Sequence, residues 1–152
     1  MIFIENQSDS IPPELSVCVE KAAQAALKHQ SAPENGLLTV VLSDDEQLRA
    51  LNRDYLEVDA ATDVLSFPSD EIDPETGCPY LGDILISMQR AAQQAAAAGH
   101  ALEAEIQLLV VHGVLHLLGH DHAEAEEKTR MWQAQAEILN ELGLGAIEIR
   151  EA

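Results

Sequence analysis

Four histidines crowd the stretch VVHGVLHLLGHDH, residues 110–122. His112 and His116 are four apart, so on a helix their side chains share one face, about 6 Å from each other. That spacing lets two imidazoles share one metal ion. Gly119 follows three residues later, where a helix can end on a left-handed residue that glycine adopts at little cost. The chain can then turn back and carry His122 over the same face. Three imidazoles with an open fourth position form the pattern of a catalytic zinc site rather than a closed structural one. Zinc held in this way activates water near neutral pH. Packing alone is a poor explanation, because burying three unpartnered imidazoles costs roughly several kcal/mol. His120, by its offset, is expected to point away from the metal and to belong to a loop or cleft. Asp121 is the candidate to orient a ligand by a hydrogen bond, against a plain reading as an exposed loop carboxylate. His29 and His100 fall near expected helix C-termini, where cationic His is favoured, and receive no role.

Zinc proteases of the metzincin type read H-E-x-x-H-x-x-G-x-x-H, with the Glu as general base. His112, His116, Gly119 and His122 match every metal-binding position of that pattern, but Gly113 stands where the Glu should be. The metal cage survives the comparison and the protease does not.

The elements that must position these residues are legible in outline. IFIE near the start alternates like a strand, and Pro12 and Pro13 suit the start of a helix over 13–29. Its apolar set is Leu15, Val17, Val19, Ala22, Ala26 and Leu27. GLLTVVLS (36–43) and TDVLSFP (62–68) read as strands, as does LGDILIS (81–87). Ser43 with Glu46 matches a capping box opening a helix through about Tyr55. Ser87 can cap an Ala-rich helix ending at Gly99. A helix over about 101–118 carries the first two histidines, and a last one over 123–142 ends at Gly143. Phe67 and Trp132 read as core. The pattern is α+β: one domain spanning 1–152, with four short strands and helices before, between and after them. Strand order is not readable, although helical crossovers make some parallel pairing expected.

Hydrophobic residues make up 47% of the 152, so the chain reads as globular. Cys18 and Cys78 form no CxxC pair, which argues against a disulfide framework or a cysteine-based zinc site and fits a reducing compartment. No leader or bilayer-spanning segment is visible, so the expected location is cytoplasmic, with no membrane partner. The net charge of −19 argues against a broad basic footprint on nucleic acid. It still allows a local site whose positive charge is a bound metal.

With HGVLHLLGHDH in view, the chain resembles the YbeY family of bacterial endoribonucleases. That family's signature, H-G-x-L-H-L-x-G-(Y/H)-D-H, fits residues 112–122 throughout. LNRDYLEVDAATDVLSFP (51–68) resembles the family's LNxxYRxxDxPTDVLSFP, and LGDILIS (81–87) its LGDIxIS, in the same order. The resemblance implies that His112, His116 and His122 bind one zinc ion per chain, in a cleft beside a small, mostly parallel sheet. It also implies zinc-dependent cleavage of single-stranded RNA in 16S rRNA 3′-end maturation and ribosome quality control. The implied partners are that RNA and small-subunit components, not DNA. Leu56 stands where the family commonly has Arg, a residue suited to hold a phosphate. Arg53, one helical turn earlier, is the candidate substitute and the candidate catalytic residue, set against a reading as a solvated helix residue. Asp63, Ser66 and Asp83 lie in matched strands and could face the cleft, with hydrogen-bonding roles in the fold as the plainer reading. Tyr55 and Tyr80 are the remaining aromatics for gripping RNA. Two alternatives stay open: a metal-dependent hydrolase of a peptide or ester, and a ribosome-assembly factor whose zinc is structural.

Overall fold

In the computed structural model, residues 1–7 and 12–147 are described. Nine elements follow one another: β1 (Ile2–Asn6), α1 (Pro13–His29), β2 (Leu37–Ser43), α2 (Asp45–Leu56), β3 (Val64–Pro68), β4 (Tyr80–Ser87), α3 (Met88–Ala98), α4 (Leu102–Leu117) and α5 (Ala125–Glu141). The strands form one sheet in the order β1-β2-β4-β3. β1, β2 and β4 run parallel, as the intervening helices require, and β3 pairs antiparallel with β4 at the edge. This is the expected α+β domain with a mostly parallel sheet.

Period-two alternation splits the sheet's apolar residues between two cores. Leu38, Val40, Leu42, Ile84 and Ile86 face α1 and α4, while Val41, Leu65 and Leu85 face Leu48 of α2. α4 is the central element, and thirteen of its sixteen residues are buried between the sheet and the other helices. Such a helix is apolar nearly all round, which is why a titratable residue on it calls for an explanation.

Several local expectations need correction. Ser43 is the last residue of β2, and Asp44 is the N-cap of α2, its carboxylate accepting the Gln47 N–H at 2.8 Å. A carboxylate one position later does the capping, so the Ser43 hydroxyl is free to bond the side chains of Gln7 and Gln47. Val17 is 55% exposed because it lies off the α1 stripe formed by Leu15, Val19, Ala22 and Ala26. Phe67 and Trp132 are half-buried rather than core. Ser87 does cap α3, accepting the Arg90 N–H at 3.2 Å. Gly99 and Gly143 adopt left-handed φ of 75° and 78° just beyond α3 and α5, as their positions suggest.

Candidate metal centre

α4 ends in a Schellman motif, in which Gly119 at φ 100° lets His120 N–H reach Leu115 O at 3.0 Å, while the Gly119 N–H reaches His116 O at 3.1 Å. The reversal carries the following loop back over the last turn of α4. Asp121 accepts the His122 backbone N–H at 2.7 Å, pinning the residue that completes the cluster. Its contact is with the backbone of a ligand candidate rather than with a ring.

The three histidines meet. One ring nitrogen from each of His112, His116 and His122 lies within 4.8 Å of the other two. His112 Nε2 and His116 Nε2 are 3.1 Å apart. His112 Nδ1 donates to Gln135 Oε1 at 2.9 Å, which places its ring proton on Nδ1 and leaves the Nε2 lone pair turned toward His116. Burial, then the neighbouring His116, pushes the His112 pKa down to about 4, and burial also lowers that of His116. Both rings are therefore neutral at pH 7, the state in which imidazole ligates a metal. This donor set fits a zinc-type ion.

Gln135, fully buried on α5, escaped sequence reasoning. Its signal was there: it interrupts an apolar stripe of Met131, Ile138 and Leu142 at helical spacing. Trp132, on the same helix, packs against the cluster, edge-on to His112 and His122 with ring centroids 6.2 and 5.7 Å away.

The cluster opens into a cleft of about 400 Å³, whose opposite wall is Leu56, Thr62 and the β3 residues Val64, Leu65, Ser66 and Pro68. Ser66 lines it and donates to Gly113 O at 3.3 Å. Asp63 does not; it is buried, and desolvation raises its pKa. Asp83 bonds Tyr80, which also bonds Thr39. Arg53 lies outside the residues that line the cleft, its Nε on Asp54 at 3.0 Å. His120 lines the cleft, its Nε2 donating to Gln30 Oε1 at 2.7 Å. His29 and His100 bond Glu137 and Glu105, both at 2.8 Å.

Gly113 explains the missing protease base. A Cβ there would lie 2.7 Å from Ile84 Cγ2, so the residue after His112 faces the sheet, and only glycine lets α4 approach β4 so closely. A side chain at that position would enter the core rather than the cleft.

The family model for endoribonuclease YbeY matches residues 2–143. The chain belongs to the YbeY family. Proteins named endoribonuclease YbeY from Acetivibrio thermocellus and Geobacillus kaustophilus are 38% and 40% identical to it, over 94% and 91% of this chain and 97% and 94% of theirs. The Carboxydothermus hydrogenoformans relative of the same name is 47% identical over 72% of this chain and 74% of its own. The solution structure of TM1509 from Thermotoga maritima shares the fold at a TM-score of 0.56 and 23% identity, covering 100% of this chain and 99% of that one.

Proposed function

We propose that this protein is a zinc-dependent endoribonuclease acting on single-stranded RNA, with His112, His116 and His122 as the ligands of one zinc ion. The observation that carries the reading is the convergence of three ring nitrogens within 4.8 Å at the floor of an open cleft, in a chain whose relatives are named endoribonucleases. A bound zinc ion supplies Lewis acidity, activating water near neutral pH and drawing charge from phosphate oxygens. The protein's own residues do the rest. Gln135 fixes the His112 tautomer, and the Gly119 turn with Asp121 brings His122 into place. Thr62 and Ser66 line the same cleft as the three histidines.

The rim offers one means of gripping bases. Tyr55 is 69% exposed at the end of α2, beside the cleft residue Leu56, and packs edge-to-face on Phe67 at 5.8 Å. An exposed ring so placed can stack on an RNA base. The substrate is the 3′ end of 16S rRNA, the setting is ribosome maturation and quality control in the cytoplasm, and the small subunit supplies binding surface that a protein of net charge −19 lacks. No helix among the described residues is long and apolar enough to cross a membrane. The test is cleavage of single-stranded RNA by zinc-loaded protein, metal-stripped protein and His116→Ala. The reading requires activity in the first alone; equal cleavage by all three would assign it to a contaminating nuclease.

A further inference from the structure

An RNA strand crossing the cleft brings one negative charge per nucleotide, and this protein has few cations to meet them. Arg49, Arg53 and Arg90 are each held by a carboxylate, Asp59, Asp54 and Asp45 respectively. Arg130 on α5 has no ion-pair partner among the described residues. It lines a cavity of about 230 Å³ beside the metal cleft, and the two spaces share the wall formed by Gly119, His120 and Asp121. Among the described residues, Arg130 is the only Lys or Arg lining either space. Glu127 borders the same cavity, yet the two side chains are not within ion-pair distance. The shared wall is fixed, because Gln30 holds the His120 ring at 2.7 Å and the Schellman turn holds its backbone.

We infer that Arg130 is a phosphate-binding residue that takes a backbone phosphate next to the scissile one and so sets the register of the RNA on the metal. The inference rests on the endoribonuclease reading. The guanidinium suits the task, since its planar fork binds phosphate oxygens by paired, charge-assisted hydrogen bonds. Its cavity is separate from the floor where the histidines converge, so it meets a neighbouring phosphate rather than the reacting one. The opposite wall presents Leu56, an apolar side chain, so this side carries the fixed positive charge.

The experiment compares zinc-loaded wild type, Arg130→Ala, Arg130→Lys and Arg49→Ala on two substrates. One is a short single-stranded oligoribonucleotide; the other is a dinucleoside monophosphate, which has no flanking phosphate. Arg130→Ala should raise KM for the oligomer about tenfold, with kcat within about twofold of wild type. It should also flatten the slope of log KM against log salt by about 0.7, the value for one phosphate contact on a single strand. The KM penalty on the oligomer should exceed that on the dinucleoside monophosphate at least fivefold, about the discrimination that one charge-assisted contact provides. Arg130→Lys should recover part of the loss, and Arg49→Ala should match wild type. If wild type cuts the oligomer and Arg130→Ala leaves KM and salt slope unchanged, or penalises both substrates equally, the inference falls alone. If zinc-loaded wild type cuts no RNA, the endoribonuclease reading falls and this inference with it.

Discussion

Gln135→Leu separates the metal site from the fold. The substitution keeps the volume of the α5 side chain and removes the acceptor that holds the His112 Nδ1 proton at 2.9 Å. Two effects on stability oppose each other. The His112 N–H loses its partner, at a cost of about 1–3 kcal/mol for a buried donor. In wild type, however, Gln135 Nε2 is itself buried with no partner, and Leu removes that penalty of similar size. The metal-free protein has a further escape: the His112 proton can move to Nε2 and donate across the 3.1 Å to His116 Nε2. The folded apo state should therefore change by less than about 1 kcal/mol. Zinc binding must undo that rearrangement, so affinity should fall about 10- to 100-fold, the usual cost of losing a partner behind a metal ligand. Competition with a calibrated chelator gives the affinity, and urea unfolding of metal-free protein gives the stability. Unchanged zinc affinity would refute the tautomer argument. A loss of affinity matched by an equal loss of apo stability would show Gln135 to be a packing residue.

Other consequences follow from the same geometry. Between about pH 6.5 and 4 the unfolded chain protonates His112 while the folded chain, with its pKa held at about 4 by burial, does not. The unfolded state thus binds more protons, and the apo protein should lose roughly 3 kcal/mol on going from pH 7 to below 4 through this group. Urea midpoints across that range check it, and a flat profile would argue against a buried neutral His112. Gly113→Ala should destabilise by about 1–3 kcal/mol through the clash with Ile84 Cγ2, and should cost less than that in the Ile84→Ala background, which removes both Cγ atoms; additive effects of the two changes would remove the clash as the cause. Tyr55→Ala should weaken single-stranded RNA binding by about 1–3 kcal/mol, read in KM, with the melting temperature nearly unchanged. An unaltered KM would take Tyr55 out of the RNA path.

What the sequence made legible was mostly local. The His112–His116 spacing and the Gly119 break act within one helix and its cap, so their joint geometry follows from helical periodicity alone. Ser87, Gly99 and Gly143 were readable for the same reason. The sheet order was not, because pairing β2 with β4 across α2 and β3 depends on contacts remote in the chain. Gln135 lies 23 residues from His112, and nothing local ties the two. Arg53 sat at a plausible helical spacing from Leu56, but spacing could not reveal that its neighbour Asp54 holds the guanidinium. The Gly113 departure from the protease pattern became informative only once Ile84 was seen beneath it.

The central claim is that three histidines hold a metal on which cleavage depends. The most direct measurement is elemental analysis of untagged protein beside His116→Ala, each after equilibration with zinc and removal of excess. The account predicts about one zinc per chain in wild type and none in the variant, with the fold of the variant retained by circular dichroism. A wild type that holds no metal after zinc is supplied, or a variant that holds as much as wild type, would contradict it.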